Sequence, residues 1–329
     1  MIWPLVAVLA GCGGSSPAAP GGNGGAGSPA VLQGQTVSVV DGMPAPNLTV
    51  RMGGLTATTD AGGLFELELS PGNHRTTVRG EGVVERQTTV SGPNGERARL
   101  TLIPGGFDLA AFDEMFRASN SRLQRWATRP GLIVLGTVMT YRETSGSEYE
   151  AGAEQLSEAE IAQLVDHLTE GLAIMTGGTY GSFDSVATER PTLGEKVNTL
   201  RPNKIVVGRY TGIASEARTI GYGQWAETAN GTIVEGALYL DRDFDRADSR
   251  RRLLRIHELG HALGYQHVNA RPSIMNPEIG IDVTDFDRHG ALIAFQRPIG
   301  NRAPDVDPSS SSMAASDGGV IRRPPVTCR

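Results

Sequence analysis

The chain has 329 residues, room for two ordinary domains plus tails, and its 39% apolar share matches chains that bury real cores. A formal charge of −6, with no Lys/Arg-rich block, excludes a reader of phosphate backbones, so no nucleic-acid partner is expected. Two cysteines, Cys12 and Cys328, stand near opposite ends in segments that read as flexible, which excludes a disulfide framework as the source of stability.

Met1 to Leu9 is apolar but too short to span a bilayer, and it reads as the central region of an export signal, with no Lys or Arg before it. It runs into Leu9-Ala10-Gly11-Cys12, where the sequence resembles bacterial lipoprotein signals, which are cut before the Cys so that its thiol can be lipidated. The resemblance implies a signal over 1–12, lipidation at Cys12, and export to the bacterial cell envelope as a membrane-anchored lipoprotein, or secretion. Residues 13–30 are Gly, Ser, Pro and Ala with almost no apolar side chain, a flexible linker with an r.m.s. reach of roughly 20–25 Å.

Residues 31–103 change to short β-rich runs, at 36–40, 47–52, 64–69, 74–79, 83–90 and 98–102, punctuated by Asp41-Gly42, Gly53-Gly54, Gly62-Gly63 and Pro71-Gly72. This spacing predicts a small antiparallel sandwich. Thr58-Thr59-Asp60-Ala61-Gly62-Gly63-Leu64-Phe65 followed by Ser70-Pro71-Gly72 resembles transthyretin-like, carboxypeptidase-regulatory-like β-sandwich modules, which implies a spacer or docking role. His74 and Glu81 read as ordinary surface residues.

Beyond Pro104-Gly105-Gly106, apolar periodicity predicts a helix over 107–126, and 131–140 is an apolar run of strand length. Ser157 and Glu160 form a capping box ahead of a helix that ends at Gly177-Gly178, with Asp166 and His167 on its wet side. Strands are expected at 204–211 and 233–241, with 221–225 extended between them. Asp248 or Ser249 can cap a helix over 250–263, a last helix covers 284–295, and residues 301–329 read as a disordered tail.

Residues 257–267 read His-Glu-Leu-Gly-His-Ala-Leu-Gly-Tyr-Gln-His, holding three of the chain's six histidines. His257 and His261, four apart, project from one helical face, where two imidazoles can meet one ion. Gly264 lets the chain leave the helix so that His267 returns as a third ligand. Three neutral imidazoles leave the fourth tetrahedral position of zinc to water, the arrangement of catalytic sites. Glu258, beside the first ligand, is the natural general base. Asp241, Asp243, Asp245 and Asp248 could bind calcium, yet they lack the Gly and bidentate Glu of an EF-hand loop and read better as a solvated loop with a helix cap.

This run, with Ser273-Ile274-Met275-Asn276-Pro277 after it, resembles the metzincin clan of zinc peptidases, matrixin-like members above all, although Val268 stands where matrixins usually carry Ser. The resemblance implies an α+β, metzincin-like catalytic domain over 104–300, a twisted mixed sheet with an active-site helix and Met275 as the Met turn beneath one catalytic zinc. It also implies a zinc metalloendopeptidase that cleaves a polypeptide substrate held in extended form against an edge strand. The alternatives are a zinc amidase acting on cell-wall peptides, and a surface-exposed binding or adhesion protein whose zinc domain is inactive or structural.

Overall fold

The computed structural model describes residues 28–118, 121–142, 146–309 and 319–328. Cys12, the signal over 1–12 and nearly all of the linker lie outside the described residues. In the first third of the chain, alternating burial builds two small sheets. Strands β1 (Ala30–Ser38), β4 (Leu64–Leu69) and β7 (Ala98–Leu102) form one, in the order β4-β1-β7; β2 (Thr49–Met52), β3 (Leu55–Thr58), β5 (Gly72–Arg79) and β6 (Arg86–Gly92) form the other, in the order β3-β2-β5-β6. Leu32, Val50, Met52, Phe65, Leu67, Val78 and Leu100 fill the space between them. β3 has no counterpart in the sequence reading because its side chains are largely exposed, so no hydrophobic alternation marks it.

The rest of the chain is built on an eleven-stranded sheet among the described residues. Its members are β8 (Arg125–Trp126), β9 (Gly131–Leu135), β10 (Thr137–Thr140), β11 (Glu148–Gln155), β12 (Val186–Glu189), β13 (Lys196–Asn198), β14 (Lys204–Thr211), β15 (Gly221–Glu227), β16 (Thr232–Asp241), β17 (Ile321–Arg322) and β18 (Val326–Cys328). The helices are α1 (Leu109–Phe116), α2 (Glu158–Met175), α3 (Arg242–Ala247), α4 (Arg251–Ala262) and α5 (Asp285–Gln296). None of these helices is long and apolar enough to cross a membrane. Strands β10, β14 and β16 run parallel, and β15 closes on β16 antiparallel.

The near-continuous apolar runs of β14 and β16 are buried on both faces of the sheet. Leu132, Val134, Ile205, Val207, Leu238 and Leu240 face α2, α4 and α5. Their strand neighbours Ile133, Val206, Tyr210, Ala237 and Tyr239 point the other way, with Tyr141, Tyr149 and Tyr222, into a tyrosine-rich second core.

This architecture corrects the α+β, metzincin-like expectation. The chain is mostly β, 36% strand against 21% helix, around one large curled sheet, where that fold needs a helix-rich mixed domain. Several strands escaped sequence reading for local reasons. Gly136 splits the apolar run 131–140 into β9 and β10, while β11 and β12 carry polar side chains with little burial signal. The helix expected over 107–126 stops at Phe116, and Trp126 is buried from a two-residue strand instead. The disordered tail expected over 301–329 is also corrected for its described residues: Asn301, Asp305, Asp307 and Cys328 are buried.

Two buried ion clusters tie these layers together. Asp305 takes Arg297 at 2.8 Å and Arg86 of β6 at 3.3 Å, and Arg297 also donates to the Thr101 carbonyl of β7 at 3.0 Å, which joins the sandwich to the chain after α5. Asp245 of α3 holds Arg255 of α4 through two hydrogen bonds of 2.7 and 2.9 Å, and Arg209 of β14 at 2.6 Å. Arg255 and Asp245 are both fully buried, so either one alone would be an uncompensated charge. Asp245→Ala is expected to destabilise the protein by about 3–5 kcal/mol in denaturant unfolding, and a loss below about 1 kcal/mol would contradict the role given to this pair.

Candidate metal centre

Helix α4 carries the site because its surroundings let it press on the sheet. A Cβ added at Gly223 of β15 would stand 2.4 Å from His261 Cβ and 2.6 Å from the Glu258 carbonyl, and one at Gly221 would stand 2.8 Å from Glu258 Oε1. Gly171 of α2 similarly admits Ile256 and Leu259 from the opposite side. The helix ends at Gly264, whose φ of +96° is the left-handed conformation that glycine adopts without penalty. Tyr265 then buries its ring, and its hydroxyl donates to the Met175 carbonyl, so that His267 returns toward the helix.

His257 and His261 each donate from Nδ1 to a backbone carbonyl, that of Ile274 at 2.6 Å and that of Tyr265 at 2.7 Å. Both Nε2 lone pairs are therefore left free, and they face each other at 2.9 Å, with His267 Nε2 lying 3.2 Å from that of His261. Cys328 Sγ completes the group at 2.9, 3.6 and 3.7 Å from the three nitrogens. All four ligand atoms lie within 4.8 Å of one another, and the cluster could hold one metal ion. Two imidazole lone pairs facing each other without a proton between them, with a third imidazole beside them, is an arrangement that a cation relieves.

Burial keeps the three imidazoles neutral, the form that binds metal. The His257 imidazole is pushed down to about 3 by burial, and burial also holds His261 well below and His267 below the usual imidazole range. Burial pushes the Glu258 carboxyl well above the usual carboxylate range. The Cys328 thiol, its side-chain hydrogen-bond partner, acts in the opposite direction. Met275 lies under the helix, where a Cβ at Gly260 would meet its sulfur at 2.5 Å. Its loop is fixed by Asp287, which accepts from Ser273 Oγ and from the Ile274 amide at 3.0 Å. The carbonyl that orients His257 therefore belongs to the Met275 loop.

No protein-family model matches the chain, and no curated protein matches it. Among solved structures it is similar to the Bacillus anthracis TIE protein, at 9% identity and a TM-score of 0.21, over 64% of this chain and 41% of that one. The chain thus spans less than half the length of that neighbour, and so weak a likeness assigns neither a fold nor an activity.

The structure brings together His257, His261, His267 and Glu258, with Met275 beneath, and adds Cys328, which sequence reading had left in a flexible end. Spacing could not have found it, since it stands 61 residues beyond His267 and arrives by strand pairing. The four aspartates weighed as calcium ligands do not converge. Asp241 caps α3, Asp245 holds Arg209 and Arg255, and Asp243 and Asp248 pair with Arg242 and Arg250. His167 of α2 faces Arg255 at 3.1 Å, away from the metal ligands, and His74 bonds backbone carbonyls in the sandwich.

Two outcomes follow for the metal-free protein. Unfolded histidines take up protons near 6.5 while His257 resists down to about 3, so stability is expected to fall as pH drops through that window; a flat denaturation profile from pH 7 to 4 would contradict it. Gly223→Ala is expected to cost about 1–3 kcal/mol and to weaken metal binding, because the added methyl cannot coexist with His261 where it stands. Unchanged unfolding and metal titrations in that variant would count against the close approach.

Proposed function

We propose that the protein is a zinc-dependent endopeptidase, exported and held at the membrane by a lipid on Cys12. The observation that carries the catalytic reading is Glu258, a fully buried carboxyl group that has, among the described residues, only the Cys328 thiol beside it as a polar partner, set one residue from a metal ligand. A purely structural metal site has no use for such a group, whose burial is unfavourable. The donor set suits zinc: imidazole bonds of 2.0–2.1 Å in a tetrahedron put nitrogens about 3.3 Å apart, near the 2.9 and 3.2 Å that separate His261 from His257 and His267, and all the donor atoms lie within 4.8 Å of one another. When bound there, zinc would supply a Lewis acid that polarises a carbonyl and lowers the pKa of a water.

The chain's own part is positioning and proton transfer. Glu258 accepts a proton from the attacking water as its oxygen adds to the peptide carbonyl carbon, then delivers it to the departing nitrogen as the C–N bond breaks. Burial raises its proton affinity toward that task. The outer edge of β15 accepts an antiparallel strand from residues 321–328, which supports β-augmentation as the way an extended polypeptide would be held.

A second reading is favoured by Cys328. Three His and one Cys make four protein ligands, the closed set typical of structural zinc, as in a surface-binding protein with an inert centre. The two readings separate on Glu258. Since Cys328 lies among the donors, the comparison is made between Cys328→Ser alone and Cys328→Ser with Glu258→Gln, measuring zinc by elemental analysis and cleavage of casein and of peptidoglycan fragments. Zinc is expected to stay near one per chain in both, while casein hydrolysis falls by roughly 10²–10⁴ with Glu258→Gln. Hydrolysis only of peptidoglycan fragments would make the protein an amidase, and none of either would favour the inert centre. His267→Ala, by contrast, is expected to lose metal affinity steeply, checked by competition with a chromogenic chelator.

A further inference from the structure

Peptide cleavage gives no role to Ile321–Cys328, yet this segment closes the site from two directions. Strands β17 and β18 lie antiparallel along β15, with Arg322 opposite Ala226, Val326 opposite Gly223 and Cys328 opposite Gly221. Between them Pro324 and Pro325, with fixed φ and no N–H, make a stiff bridge. One end is held by Arg323, whose guanidinium pairs with fully buried Glu227 and whose N–H donates to the Trp225 carbonyl at 3.0 Å. The other end is held by Cys328, whose N–H donates to Thr219 Oγ1 at 3.1 Å and whose carbonyl accepts from the Ile220 N–H at 3.3 Å.

The thiol is completely buried and reaches all three imidazoles. Three protein ligands leave zinc one open position, the one hydrolysis needs for water, and a fourth protein ligand removes it. Separations of 3.6 and 3.7 Å from two of the nitrogens are close to the roughly 3.5 Å that tetrahedral Zn–S and Zn–N bonds imply, and the third, 2.9 Å from His257, is shorter, so the sulfur and that ring would draw apart to share an ion. The same residues cover the β15 edge that an extended substrate would pair with. They lie over the site at the surface: Ile321 and Thr327 are exposed, and a groove lined by Gln266, His267, Trp225 and Pro325 runs beside them. The segment thus presents an exposed outer face while its thiol is buried against the imidazoles.

We infer that Ile321–Cys328 is a built-in inhibitor, in which the Cys328 thiolate takes the fourth position on the metal and β17 and β18 occupy the substrate edge, so that the centre is latent until the segment is displaced. The inference rests on the zinc-peptidase reading. Displacement exchanges one ligand for another, water for thiolate, with the proton of the released thiol taken from solvent; no oxidant or reductant is needed.

The test uses the full chain loaded with Co²⁺ or Zn²⁺, as wild type, Cys328→Ser and Arg323→Ala, the last of which leaves every metal donor in place. The Co²⁺ wild type is expected to show a thiolate-to-cobalt charge-transfer band that Cys328→Ser lacks. In the Zn²⁺ forms, iodoacetamide labelling of Cys328, resolved from Cys12 by peptide mass spectrometry, is expected to be at least tenfold faster in Arg323→Ala than in wild type, and slow again in wild type only while metal is bound. Peptide hydrolysis is expected to rise at least tenfold in Cys328→Ser. A band that persists in Cys328→Ser, or wild-type Cys328 that labels as fast as in the unfolded chain, would overturn the inference. Equal hydrolysis by wild type and Cys328→Ser would overturn it too, while leaving the peptidase reading intact. Absence of hydrolysis in every variant, with the band behaving as expected, would overturn both and leave a four-ligand structural centre.

Discussion

The close approach of α4 to β15 is the constraint on which the site depends. Glycine at 221 and 223 removes the side chains that would hold the helix off the strand, so His261 and Glu258 lie against the sheet where a Cβ would otherwise stand. Once the helix is seated at that depth its polar groups lose water, and the structure answers each loss with a specific partner. Arg255 finds Asp245, and the two helical imidazoles find backbone carbonyls through Nδ1. What remains at the centre is the pair of Nε2 lone pairs of His257 and His261 and the Glu258 carboxyl, with the Cys328 thiol beside it.

The same depth sets the chemistry. Desolvation holds the histidines neutral and therefore able to bind a cation, and it raises the proton affinity of Glu258. Burial also pushes the Cys328 thiol well above its usual range, with the Glu258 carboxylate acting in the same direction. A thiolate is thus held at this position only if a metal ion stands among the imidazoles. In the proposed reading, metal, latency and general base would form one coupled unit, since the segment that brings the Cys328 sulfur to the imidazoles is also the strand that lies on the sheet edge.

How much of this was legible in the sequence depended on how local each signal was. The run from His257 to His267 is read from spacing alone, because helical periodicity and one glycine bring its side chains together. The Ser157 capping box and the helix that follows Thr284 were legible for the same local reason, while Met275 entered only through the resemblance. The sheet was not. β11 and β12 carry mostly polar side chains, and the break at Gly136 hides inside an apolar run, so a fold expected to be α+β and metzincin-like proved mostly β. Cys328 was out of reach because its place follows from the pairing of Val326 with Gly223 and from the ion pair of Arg323 with Glu227, contacts between segments about a hundred residues apart. Arg86 and Asp305 were hidden likewise, as two ordinary charges until the sandwich meets the chain after α5.

The central claim is that one metal ion is held by three imidazoles and the Cys328 sulfur. X-ray absorption at the zinc edge of the zinc-loaded full chain tests it most directly, since nitrogen and sulfur scatter from different distances. The account predicts one zinc per chain with three nitrogen neighbours at about 2.0–2.1 Å and one sulfur at about 2.3 Å. A first shell of nitrogen and oxygen alone would contradict it.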